Sequence, residues 1–220
     1  MARVAGPAAA LAGLTAGVQA QGAWAGRRQL FIRFAAEAET AVLYTADALA
    51  QELKRLAGRA SAHSIAVAGR DPLGNADYLC AAFDAWKPTL PVMLDTDGQR
   101  PEALEPLRGH LALVQVTVDS AISDAMMERA LQTLGEAARH QCQHALVLAP
   151  RDDASASDGL LLRIVEQVHG VSAGTMIVMH PTPGASGAPD RRWAMVLEQA
   201  SGLHGDVRLV MKLPPPLGLR

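Results

Sequence analysis

Cysteine is nearly missing from this chain: Cys80 and Cys142 are the two present in 220 residues. Two thiols cannot build a disulfide framework or a four-cysteine zinc site, and their scarcity suits a reducing cytoplasm. Excess charge of either sign is missing too. The net charge is −2 and the sequence pI about 6.4, which gives no field for gathering polyanions and excludes nucleic-acid binding by electrostatics. No apolar run reaches the roughly 20 residues of a membrane span. A phosphate loop, a Ser/His/Asp order and a pair of closely spaced carboxylates are all lacking, so kinase and hydrolase chemistry have no support.

Half the chain is apolar, enough for one domain with a substantial core, and a single unit over residues 1–220 is expected. Residues 1–28 read as an N-terminal extension with its leading turn, and 205–220 as a C-terminal tail. A secretory signal in residues 1–20 is the alternative to a cytoplasmic start, because Val18-Gln19-Ala20 is similar to a small-residue cleavage site. Pro7, Gly13 and Gly17 interrupt its apolar stretch.

From Gln29 onward the chain alternates short apolar runs with amphipathic segments. Strands are expected at Gln29–Phe34, His63–Ala68, Leu90–Leu94, Leu111–Val118, His144–Ala149 and Met176–Met179, with a seventh at Val207–Met211. Helices are expected at Thr45–Gly58, Asn75–Trp86, Ser123–Ala138, Gly159–Val168 and Trp193–Leu203. Thr45 and Ser123 are N-caps, and Leu49, Leu53 and Leu56 repeat at helical spacing. Continuous apolar strands between amphipathic helices imply an α/β fold, a partial (β/α)6 barrel of parallel strands with outer helices. The loops Arg151–Asp158 and Gly184–Asp190 read as surface loops.

Polar residues gather just after the strands, at Asp71, Asp95, Asp97, Asp119 and His180, on the rim where parallel α/β proteins place their sites. Each also reads as a loop residue or helix cap. His140, Cys142 and His144 alternate as zinc ligands would on an extended chain, but they sit at the opposite end of their strand, and no metal site is expected there. Cys80 lies beside Leu79 and Phe83 and reads as a core thiol.

In this order the segments resemble the radical S-adenosylmethionine enzymes, specifically 7-carboxy-7-deazaguanine synthase of the queuosine pathway. Gln19-Ala20-Gln21-Gly22-Ala23-Trp24-Ala25-Gly26-Arg27 is similar to that family's Gln-Gly-Glu-Gly turn with its following aromatic and Gly-Arg, and Phe31-Ile32-Arg33-Phe34 to its first strand. Gly69-Arg70-Asp71-Pro72-Leu73 stands where the family has Gly-Gly-Glu-Pro-Leu, and Asp95-Thr96-Asp97-Gly98 where it has Glu-Thr-Asn-Gly. Val116-Thr117-Val118-Asp119 is similar to a strand ending in Asp. The resemblance implies a radical-SAM-like domain over the whole chain.

It also implies loss of the family's chemistry. The family uses a [4Fe-4S] cluster held by Cys-x-x-x-Cys-x-x-Cys, S-adenosylmethionine and Mg2+. Here Phe34-Ala35-Ala36-Glu37-Ala38-Glu39-Thr40 has no cysteine, and cluster iron needs thiolates. Compared with the family, the loop is shorter by about seven residues. No cofactor, catalytic residue or metal ligand is therefore expected. The implied residual S-adenosylmethionine-like rim is Gly69, Arg70, Asp71, Asp95, Thr96, Asp97 and Asp119, and the implied residual substrate contacts are Gln19, Gln21, Gly22, Arg33 and His180. The expectation is a degenerate, non-catalytic binding or assembly protein. The alternatives are an active synthase with an atypical cluster site and a partner subunit of a cluster-bearing homologue. A small polar ligand such as a pterin, a deazapurine or an S-adenosylmethionine-like molecule is the expected partner, with a homo-oligomer as a further expectation.

Overall fold

The computed structural model describes residues 6–119, 122–150, 157–182 and 191–213. Most of the loop Arg151–Asp158, all of Gly184–Asp190 and the end of the C-terminal tail lie outside the described residues.

Nine strands form one sheet in the order β3-β1-β2-β4-β5-β6-β7-β8-β9. They are β1 (Ala8–Val18), β2 (Arg28–Phe34), β3 (Val42–Thr45), β4 (Ser64–Gly69), β5 (Val92–Thr96), β6 (Leu111–Val118), β7 (Gln143–Leu148), β8 (Met176–Met179) and β9 (Val207–Leu209). From β2 to β9 every neighbouring pair is parallel. β1 runs antiparallel to both β2 and β3. The helices are α1 (Ala46–Ala57), α2 (Ala76–Trp86), α3 (Asp124–Arg139), α4 (Asp158–Val171) and α5 (Arg191–Leu203). The fold is thus α/β with a mostly parallel sheet and flanking helices.

Local chemistry explains the helix starts. Thr45 and Ser123, in extended backbone, accept hydrogen bonds from the N–H groups of Ala48 and Met126, and so satisfy amides that the first turn leaves free.

Alternation along the strands sorts their side chains onto two faces. Leu30, Ile32, Ile65, Val67, Leu94, Val114, Val116, Leu146 and Ile177 form the face that buries Leu49, Leu53, Phe83, Leu134, Ile164 and Trp193 of the helices. All five described helices cover this face, and burial of each large side chain there stabilises the fold by about 1.5–3 kcal/mol. Ala66, Met93, Leu113 and Ala145 point the other way and are covered by Ala23 and Trp24 of the β1–β2 turn, together with Phe31 and Met176. This second surface is the inner face of the sheet.

The structure corrects the sequence reading in three places. Ala8–Val18, read as part of an extension, is a strand paired along β2 from Leu11 to Val18. Residues 42–45, read as the approach to a helix, form an edge strand against β1. Six strand–helix units imply a helix between β5 and β6, but that crossover holds only two short 3-10 turns, Pro101–Ala103 and Glu105–Leu107, each with proline in its first turn. No helix among the described residues is long and apolar enough to cross a membrane.

Candidate functional site

Because β4, β5 and β6 are parallel, their C-terminal ends meet at one edge of the sheet. A cavity of about 210 Å³ opens there, walled by Ala68, Gly69, Arg70, Asp71 and Pro72 after β4, by Asp95, Thr96 and Asp97 from β5, and by Thr117 from β6. Six of the twelve residues singled out from the sequence therefore share one cavity.

Asp95 is the centre of it. It pairs in register with Gln115 and follows Met93 by two, which puts its side chain on the inner face. Thr117 donates its hydroxyl to Asp95 Oδ1 at 2.6 Å. Burial pushes the Asp95 carboxyl above its ordinary range, while hydrogen bonding from Thr117 and Gln115 opposes the shift. The Gln115 amide lies near enough to favour the charged form, yet its Nε2 makes no hydrogen bond of ordinary length. Protein surrounds the carboxyl, while part of the residue opens to the cavity. No cation is paired with it among the described residues.

Its neighbours are mostly engaged in shaping the loops. Asp71 has φ 44°, accepts from the Gly74 N–H at 3.0 Å and takes Arg100 Nε at 2.9 Å on both oxygens. Thr96 Oγ1 accepts from Gly98 N–H, and Asp97 Oδ1 from Gln99 N–H, each at 3.1 Å. Gly69 has φ +100°, and a Cβ there would lie 2.3 Å from the Phe34 carbonyl oxygen, so the turn after β4 requires glycine. The exposed Arg70 side chain makes no ion pair among the described residues. Asp119 follows β6 outside the cavity lining.

A second group of expected residues belongs to the β1–β2 turn, which lies across the inner face. Gln19 is buried, and its backbone closes the turn with Arg27 and Gly26. Gly22 donates its N–H to His180 Nε2 at 3.0 Å, and Ala23 donates to Gln115 Oε1 at 2.9 Å. His180 Nδ1 bonds the Val210 carbonyl at 2.6 Å, so both ring nitrogens of His180 hold neighbouring backbone. Burial lowers the His180 pKa; the bond to Val210 acts against this and Lys212 with it. Gln21 Oε1 is buried without a hydrogen bond. Arg33 stands apart, paired at 2.9 Å with the exposed Glu39.

Gln115 and Thr117 are the residues that the sequence reading left out of the site. The signal was there: they are the polar residues of an otherwise apolar strand, two apart and hence on one face. His140 Nε2 lies 2.8 Å from the Glu105 carboxylate while His144 bonds Ser172 at 2.9 Å, so the two imidazoles of the His140-Cys142-His144 stretch face different neighbours. Among the described residues, no group of three or more His, Cys, Asp and Glu side chains is arranged to hold a metal ion.

No protein-family model and no curated protein matches the chain. Among solved structures, the chain is similar to the apo form of 3-keto-D-glucoside 4-epimerase, YcjR, from E. coli, at 14% identity and a TM-score of 0.42, over 74% of this chain and 73% of that one. A likeness this distant carries no argument about activity.

These findings overturn the radical S-adenosylmethionine reading. No model of that family matches the chain. The degenerate 7-carboxy-7-deazaguanine synthase, its active alternative and its partner-subunit alternative fall together. The physical source of the error is the stretch after Phe34. Set against the family pattern its shortness suggests a deleted cluster loop, but the residues turn back and pair as β3 with β1.

Proposed function

We propose that the chain binds a small polar molecule at the C-terminal edge of β4, β5 and β6, with Asp95 as the central hydrogen-bonding group. The observation that carries this reading is a buried carboxyl on a cavity wall, held by a hydroxyl and paired with no cation among the described residues. Burying an ionisable group has a cost that folding alone does not require here, and a ligand donor would offset it. A protonated Asp95 can donate a hydrogen bond, and an ionised one can accept from a ligand N–H or O–H. Arg70 at the rim suits an anionic substituent. A compact ligand with a donor at one end and a carboxylate or phosphate at the other answers both groups. Pterins and deazapurines meet the first demand.

The architecture supporting this site is read as a partly closed barrel, since the strand order from β2 to β9 never reverses and the described helices cover one face. The free thiols of Cys80 and Cys142 support a reducing compartment.

The test is a thermal-shift panel of pterins, deazapurines, sugar phosphates and hydroxy acids, run on the wild type, Asp95→Asn and Arg70→Ala. Ligand at 100 times its Kd adds about 2.7 kcal/mol of stability. A compound that raises the midpoint of the wild type and not that of Asp95→Asn supports the site. A panel without any shift, or a shift that Asp95→Asn retains in full, overturns it.

A further inference from the structure

Away from the sheet edge, two imidazoles meet where two helices end. His169 lies in the last turn of α4, and His204 directly follows α5, its N–H bonded to the Ala200 carbonyl at 2.9 Å. Their Nδ1 atoms are 3.2 Å apart and their rings are nearly perpendicular, at 86°. His204 is 2% exposed, whereas His169 is open to solvent.

We propose that His169 and His204 form a binding site for a divalent transition metal of the copper and zinc class. Three observations point the same way. The first is the tautomer of His204: its Nε2 lies 2.5 Å from the Thr175 carbonyl, which can only accept, so the proton sits on Nε2 and the Nδ1 lone pair faces His169. A backbone carbonyl on the far nitrogen is the arrangement that orients histidine ligands toward a metal. The second is the bite. Two nitrogens bound at about 2.0–2.1 Å stand about 3.3 Å apart in tetrahedral geometry and about 2.9 Å apart in square-planar geometry. The observed 3.2 Å falls between them.

The third observation is electrostatic. The C-termini of α4 and α5 both end at this point, and their carbonyl ends carry the negative pole of each helix, which favours a cation. The nearby Asp206 is already paired with Arg208. Two protein nitrogens do not complete a coordination sphere, so water fills the remaining positions on the exposed His169 side. In the metal-free pair, His169 Nδ1–H donates to His204 Nδ1. Metal takes the place of that proton, which passes through solvent to His169 Nε2, so the pair binds the ion with no change in its own proton count. Copper(II) is expected to bind more tightly than zinc.

The test uses the full chain, titrated with Cu2+ and with Zn2+ by calorimetry at neutral pH, with electron paramagnetic resonance of the copper complex. The expected result is one saturable site with nitrogen couplings from two imidazoles. His169→Ala, at an exposed position, is expected to fold and to lose affinity by about tenfold or more. Because His204 is buried, His169→Gln serves as the second variant, and it removes the ligand with little change in size. Absence of saturable binding, or affinity that both His169 variants retain, overturns the proposal and leaves a hydrogen-bonded imidazole pair.

Discussion

Asp95 and His180 titrate against folding in opposite directions. The folded pKa of Asp95 lies above its ordinary value of 3.8, so the folded state keeps a proton that the unfolded chain has released. The stability it contributes is complete below that ordinary value and is lost as pH rises through the folded pKa. Asp95→Asn, which can still accept from Thr117, is therefore expected to gain on the wild type as pH rises, measured by urea midpoints across about pH 4 to 8. For His180 the folded pKa lies below its ordinary value of 6.5. Its contribution is present above that value and is lost as pH falls through the folded pKa. Protonation also removes the lone pair that accepts from Gly22. In hydrogen-exchange measurements the amides of Gly22 and Ala23 are thus expected to lose protection, relative to their intrinsic exchange rates, as pH falls through the folded pKa, which lies below 6.5. Unchanged protection over that range would count against this coupling. Gly22 itself has φ +82°, and a Cβ would lie 2.0 Å from Gln115 Oε1. Gly22→Ala should cost about 1–3 kcal/mol in chemical denaturation.

Among the elements, β3 joins two tasks in four residues. It is an edge strand of the sheet, with Val42 57% and Leu43 73% exposed, and its last residue, Thr45, caps α1. Leu43→Lys places a charge on an exposed edge and is expected to leave the thermal midpoint within a few degrees, read in a thermal melt. Thr45→Ala is expected to cost about 0.5–2 kcal/mol through the lost cap, read from a denaturant midpoint. The helices that carry a cap and a periodic apolar face were legible before the fold was known: α1 and α3 begin beside Thr45 and Ser123. Strands with continuous runs of Val, Leu, Ile and Met were legible as well, β6 and β8 to the residue. β1 was not, because Ala8–Val18 is made of Ala, Gly, Leu, Thr and Val in no strong pattern, and its strand state comes from pairing with β2 rather than from its own preference.

Across the whole molecule, one sheet runs from the first described strand to the last, which makes β1 part of the core rather than an appendage. Leu11, 1% exposed, touches the registers of both β2 and β3. Leu11→Ala is expected to cost about 2–5 kcal/mol in a single cooperative transition. The cavity edge was legible in outline, since Asp95 and Asp97 fall where parallel strands end. What no local pattern could supply was the path of the β1–β2 turn over the inner face, which brings Gln115 and His180 to Gly22 and Ala23. The family resemblance failed for a related reason: aligned tetrapeptides record order along the chain, whereas pairing of β3 with β1 is decided in space.

The turn's anchor has a bearing on synthesis. Gly22 and His180 are 158 residues apart, and His180 is itself held by Val210. A chain emerging from the ribosome at roughly 5–20 residues per second exposes the turn well before its anchor exists. The β1–β2 hairpin, a local pairing, can form at once. The turn closes on its own backbone bonds, and Ala23 is fixed once Gln115 of β6 is made. The last anchor, His180 on Gly22, arrives only with β8, so the turn locks in stages separated by the synthesis of α3, β7 and α4.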